Sequence, residues 1–317
     1  MKNLHKILIV LISFFFCFSC SSPSNNRGMP PQHIMHNNDN FFVDPLVFYD
    51  MDSSKARLDL YIKIPVESII YKKNIEKKKY ESVLFISVIL KNSNNEQIFE
   101  NKYNVSSSFN EEEMKKMSKE YQYYFYNYYL EHGKYKLEVK INDENSKSTH
   151  PIFSDVSVKD FKNQSLNFSD IMLLSHYSVN EDSTKEITPL INNNIFSLNK
   201  IFIFFEIYNN NSDTLTKDYV YKLRDNKNNV IKEESLSYTL SQNRNKKTEC
   251  ISLKNELQKY TEEEPDFEFF PAEKISVENF KLEIIDKSNN EIMASKTLTF
   301  RPDNRHMNMK NKPPMRQ

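Results

Sequence analysis

Lys134-Tyr135-Lys136-Leu137-Glu138-Val139-Lys140-Ile141 alternates charged and apolar side chains without a break. A period of two is that of a strand with one buried face and one wet one. The same grammar returns at Phe280-Lys281-Leu282-Glu283-Ile284, and both copies run on into Asp, Asn and Ser. Only the entry differs, with Gly133-Lys134 before one copy and Glu278-Asn279 before the other. Each copy then leads to a last strand, Ile152 to Val158 and Ile292 to Phe300.

Working outward, Arg57 to Ile64 also alternates, and Glu81 to Leu90 (ESVLFISVIL) is apolar enough for a central strand. Turn residues at 91–96 and a returning strand from Gln97 to Val105 complete a hairpin. Ile201 to Tyr208 (IFIFFEIY), Tyr219 to Leu223 and Val230 to Leu240 repeat that order in the second half. Asn110 followed by Glu111, Glu112 and Glu113, then Lys115, Lys116 and Lys119, predicts one short helix with its acids first and its bases last. The expected fold is all-β: two tandem immunoglobulin-like β-sandwich domains, residues 41–164 and 165–301. A signal peptide over 1–19 and a flexible tether over 20–40 are expected before them, and a disordered tail over 302–317 after them.

Composition excludes several functions. Forty-three basic residues balance 43 acidic ones, so the chain as a whole is expected to offer no basic field that gathers nucleic acid or anionic lipid. The two glycines of the chain cannot build a phosphate-cradling loop.

The first twenty residues speak for export. Lys2, His5 and Lys6 precede an apolar run from Ile7 to Phe18, too short to span a bilayer, which ends at Cys17-Phe18-Ser19-Cys20. A small residue followed by Cys resembles the lipobox of bacterial lipoproteins, which implies acylation of Cys20 and a membrane partner through that lipid. Ordinary signal cleavage is the alternative, since Cys17 and Ser19 satisfy a small-x-small rule. No acid directly follows Cys20, which favours an outer-membrane lipoprotein facing the periplasm over a secreted or surface-exposed protein. With Cys20 acylated, Cys250 has no intrachain partner, so the cores rather than disulfides carry stability.

A wider resemblance rests on the order of several short motifs. Phe42-Val43-Asp44 opens the body, a strand ends at Ile64-Pro65, and Tyr80 leads into the first central strand. Gly133 to Val139 follows with Asp143 after it, then Leu166-Asn167-Phe168-Ser169-Asp170-Ile171, Pro189 and Phe205-Glu206-Ile207-Tyr208. This order resembles the N-terminal region of the GWxTD-domain proteins of Bacteroidota. The chain has no Trp, so the namesake motif is absent and the role of that module does not transfer. The resemblance implies an exported or lipidated envelope protein.

No catalytic set emerges from the residues. Of the histidines, His132, His150 and His176 lie in the body, none within a nucleophile motif. Cys250 reads as a half-buried thiol rather than a nucleophile, and His33 and His36 lack further ligands for a metal. The acidic runs Glu111–Glu113 and Glu262–Glu264 read as solvated faces or helix starts. No cofactor site is expected.

The most unusual stretch is Tyr121 to Tyr129 (YQYYFYNYY), a strand whose alternate rings are expected to pack in the core. Were one face exposed instead, Tyr124, Tyr126 and Tyr128 would share it and offer rings to a glycan or a protein. The resulting expectation is a non-enzymatic cell-envelope module for binding or assembly, with a protein partner. A carbohydrate-binding protein using the tyrosine face and a hydrolase with loop-borne carboxylates are the alternatives.

Overall fold

A computed structural model describes residues 41–118, 120–146, 148–196, 198–253 and 278–301, and among these described residues there are seventeen strands and one α-helix. The expected signal peptide, tether and tail, with Cys20, His33, His36 and Glu262–Glu264, lie outside the described residues.

Strands β1 (Phe42–Asp50), β2 (Lys55–Pro65) and β6 (Tyr121–Leu130) form one antiparallel sheet in the order β1-β2-β6. The facing sheet holds β3 (Lys72–Asn74), β4 (Lys79–Asn92), β7 (Gly133–Asp143) and β8 (Ser148–Val158) in that order, with β5 (Gln97–Phe109) paired along β4. Period-two burial fixes the register. Leu137, Val139 and Ile141 of β7 sit opposite Leu90, Val88 and Ile86 of β4, and all six are buried. A one-residue slip would turn this row into solvent. Leu58, Leu60, Ile62 and Ile64 of β2 meet it from the other sheet and close the first core.

The second sandwich repeats the plan. One sheet runs β11 (Lys185–Pro189), β10 (Met172–Val179), β12 (Lys200–Asn209), β15 (Asn243–Ser252), with β9 (Leu166–Phe168) also on β12. The other runs β14 (Val230–Leu240), β13 (Leu215–Arg224), β16 (Glu278–Asp286), β17 (Ile292–Phe300). Thus β16 occupies the place of β7, as the shared motif predicts, and β15 occupies the place of β6. The chain is all-β, with two immunoglobulin-like sandwiches.

Because glycine is scarce, Asn takes the left-handed turn positions. Asn95, Asn228 and Asn290 have φ of 62°, 67° and 60°. The predicted helix is α1 (Glu111–Met117), closed by a reciprocal cap. The Glu113 N–H donates to Asn110 Oδ1 at 2.8 Å, and the Asn110 N–H donates to Glu113 Oε2 at 2.8 Å.

The described residues fall within one compact unit, and the two sandwiches are joined by packed and polar contacts. Leu46 and Phe48 on the outer face of β1 pack with Met172 and Leu174 of β10. The Val47 N–H donates to Asp170 Oδ2 at 2.8 Å, and the Asp170 N–H donates to the Val47 carbonyl at 2.9 Å. Lys296 of β17 reaches Asp44 of β1 at 2.5 Å. Lys159 donates to the carbonyls of Phe168 and Met293 at 3.2 and 2.8 Å. Burial holds the Lys159 amine below the usual lysine range, partly offset by Asp170 and Glu291.

Candidate functional site

The tyrosine strand β6 lies at the edge of its sheet, hydrogen-bonded to β2 alone among the described strands. Its register sets which rings are wet. Tyr124, Tyr126 and Tyr128 stand opposite Ile62, Leu60 and Leu58, which are fully buried. These three tyrosines, with Leu130 on the same parity, therefore turn toward the core. Tyr128 is 8% exposed, while Tyr124 and Tyr126 pack against the same core from its rim. Tyr126 stacks on Tyr103 of β5 at 3.9 Å between centroids, and the Tyr128 and Tyr103 hydroxyls lie 3.0 Å apart. Tyr124 donates to Gln122, and burial pushes its hydroxyl up to about 12. The face proposed for Tyr124, Tyr126 and Tyr128 is thus the inner one, and they close the gap between the sheets.

The outer face belongs to the odd-numbered residues. Tyr123, Phe125 and Tyr129 are 50%, 49% and 51% exposed, with the exposed Asn127 between them. At about 3.4 Å per residue the row from Tyr123 to Tyr129 is about 20 Å long. Side chains of the paired strand β2 flank it. The Lys63 ammonium sits 3.9 Å from the centroid of Tyr121 and 5.8 Å from that of Tyr123. The ring of Tyr61 lies 4.9 Å from that of Phe125. Arg57 is clamped to Asp59 by bonds of 2.7 and 2.9 Å, beside Tyr129 in the ladder. That clamp, chiefly its hydrogen bond, raises the Arg57 pKa, while burial raises that of Asp59.

Edge chemistry separates the two sandwiches. Native sheets protect a free edge with charges, prolines or bulges. The second sandwich does so, for β15 reads NRNKKTECIS and carries Arg244, Lys246, Lys247 and Glu249. In the equivalent position β6 reads YQYYFYNYYL, with no charge, no proline and an unbroken register over ten residues. Large aromatic rings exposed side by side on such an edge suit a partner better than they suit water.

Comparison with known proteins adds a likeness of shape. No family model matches the chain, and no curated relative matches it. Among solved structures it is similar to β-glucuronidase 2 of Bacteroides uniformis, a calcium-binding mutant, at 8% identity over 80% of this chain and 27% of that one, TM-score 0.27. It is also similar to a putative β-galactosidase of Bacteroides fragilis, at 7% identity over 77% and 32%, TM-score 0.28. Red sea bream transglutaminase follows at 6% identity over 82% and 31%, TM-score 0.21. The chain spans less than a third of the length of each of these proteins. Such scores carry nothing about activity.

The remaining candidates are scattered. His150 lines a small cavity of about 20 Å³ with Phe41, Ile69 and Asp143. His176 meets Ser178 Oγ at 3.2 Å, and no described carboxylate bonds its ring. His132 is exposed between β6 and β7. Cys250 is exposed rather than half-buried, because Ile251 takes the inward position of β15 and Cys250 and Ser252 on either side of it face out. Among the described residues no three His, Cys, Asp or Glu side chains gather as metal ligands. Glu111–Glu113 open α1, as expected of a helix start.

Proposed function

We propose that the chain is a non-enzymatic binding or assembly module of the cell envelope, and that its partner protein docks on β6. The observation that carries this reading is the contrast between the neutral aromatic edge of β6 and the charged edge of β15. A partner segment in extended form would complete the ladder with main-chain hydrogen bonds and lie against Tyr123, Phe125 and Tyr129. Acylation at Cys20 would anchor the module in the outer membrane, facing the periplasm. The charged, apolar and Cys-terminated pattern of residues 2–20 supports that location. The order of motifs from Phe42 to Tyr208 supports kinship with the N-terminal region of the GWxTD-domain proteins.

A photocrosslinking residue at Phe125, with the matching change at Glu249 of β15 as control, tests the reading in the native envelope. A discrete crosslinked protein from position 125 and none from 249 is the expected result. Equal labelling from both, or none from either, would overturn it. A second reading is a glycan ligand, favoured by three half-exposed rings in one row. It predicts saccharide-dependent retention that Phe125→Ala abolishes, with no protein crosslink.

A further inference from the structure

The hairpin joining β3 to β4 carries a lopsided charge. Between Lys72 and Glu81 it carries five lysines, Lys72, Lys73, Lys77, Lys78 and Lys79, against Glu76 and Glu81. All five lysines are exposed, and Ile75 at the tip is 83% exposed, the most of any large apolar side chain described. The hairpin is well formed. Lys72, Lys73 and Asn74 pair with Glu81, Tyr80 and Lys79, and the Lys77 N–H donates to Asn74 Oδ1 at 3.1 Å. Lys78 takes the left-handed position with φ of 54°.

Neighbouring charge does not cancel the lysines. Lys77 bonds Glu81 at 3.0 Å, and Lys73 lies 4.0 Å from Glu111. Within α1, Glu111 and Glu112 pair with Lys115 and Lys116 at 3.5 and 3.2 Å, while Glu113 is held in the helix cap. Among the described residues no ion pair engages Lys72, Lys78 or Lys79. Asp143 at the root, Glu144 by the groove that Lys72 and Lys73 line, and Glu76 at the tip are the other acids here.

The position of the hairpin gives it a target. Its root is fixed where the chain enters the body. Phe41 shares the small cavity with Ile69 and Asp143, the Ile70 N–H donates to Asp143 Oδ2 at 2.9 Å, and Asn145 donates to the Ile70 carbonyl at 2.8 Å. Residues 21–40 join that end to Cys20, so a lipid there would keep this end of the body within about 70 Å of the bilayer, the extended reach of twenty residues. We infer that the Lys72–Lys79 hairpin rests on the anionic phospholipid surface, with lysines among the headgroups and Ile75 at the acyl boundary. The inference about orientation rests on the anchoring reading; the affinity of the hairpin for the surface does not.

The test uses the chain from Ser21 to Gln317, which carries no acyl group, sedimented with vesicles. Vesicles of phosphatidylglycerol and phosphatidylethanolamine are expected to retain it, phosphatidylcholine vesicles are not, and retention falls with salt. Losing each of Lys72, Lys78 and Lys79 to Gln should weaken retention on the order of fivefold. Ile75→Asp should weaken it at every salt concentration. Equal partition to both vesicle types, or a triple Gln variant of unchanged melting temperature that still binds as the parent does, overturns the inference. Release of the full-length Cys20→Ala protein from membranes reads the anchor separately.

Discussion

The hydroxyl of Tyr208, carried by the second sandwich, accepts the backbone N–H of Tyr49 in the first at 2.8 Å. The same hydroxyl donates to Glu206 at 2.6 Å, and its ring stands edge-on to Tyr49 and Phe161 with centroids 5.6 and 5.5 Å away. Although it belongs to β12, Tyr208 is fully buried within the core of the other domain. One side chain thereby ties two cores together. Tyr208→Phe keeps the ring and removes the hydroxyl, leaving a buried N–H and a buried carboxylate each short of a partner. A loss of about 1–3 kcal/mol is expected in urea unfolding. A change under about 0.5 kcal/mol, in the range of ordinary surface substitutions, would mean that this joint is not formed in solution.

The strands that could be read in advance have one dry face and one wet one. In β2, β7 and β16 the polar and apolar residues differ enough to show the period, and the shared motif of β7 and β16 showed the duplication. β15 was invisible by the same logic. As a charged edge strand it offers Ile251 to the core within a polar run, and the pattern resembles a loop. In β6 the difficulty was the reverse. Nearly every side chain is aromatic, so alternation leaves no contrast and the parity is ambiguous. Leu130, buried and on the parity of Tyr124, Tyr126 and Tyr128, was the available clue. The joint at Tyr208 and the ion pair between Asp44 and Lys296 link residues far apart in sequence, and no local pattern announces them.

That ion pair should be strongly coupled. The Asp44 and Lys296 side chains are 8% and 12% exposed, and their atoms are 2.5 Å apart. Removing one partner of a buried pair costs about 3–5 kcal/mol, whereas replacing both with apolar groups costs far less. Asp44→Leu and Lys296→Met should each destabilise more than half as much as that range implies, and the double variant should recover part of the loss. Additive effects in the double-mutant cycle would show two independent charges instead.

Acid should loosen the second sandwich through two carboxylates on β16. Burial opposes ionisation of Glu283, but bonds from Lys281 at 2.7 Å and Arg224 at 2.9 Å hold it below its usual range. Asp286 is likewise opposed by burial and held low by Ser288, whose hydroxyl and N–H lie at 2.6 and 2.8 Å, and by Lys217 at 3.3 Å. A folded pKa below the unfolded one gives stability that is present above the unfolded values of 4.5 and 3.8 and disappears as pH falls through the folded ones. Parallel unfolding at neutral pH and at about pH 3 should therefore show a smaller acid-induced loss for Glu283→Gln with Asp286→Asn than for the parent. An unchanged pH slope would place the acid-sensitive groups elsewhere.

The parity of β6 can be decided by two neighbouring tyrosines. Tyr128 is 8% exposed, meets the Tyr103 hydroxyl at 3.0 Å and stacks on Phe99 with centroids 4.7 Å apart. Tyr129 is 51% exposed and bonds Asp50 at the surface. Tyr128→Ala removes packed volume from the seam between the sheets and should cost about 3 kcal/mol or more. Tyr129→Ala should change stability by about 0.5 kcal/mol while weakening whatever docks on the outer face. Because successive side chains of a strand point oppositely, a slip of one residue would exchange the two results. A large loss for Tyr129 with a small one for Tyr128 would put Tyr124, Tyr126 and Tyr128 back on the wet face, and the docking surface with them.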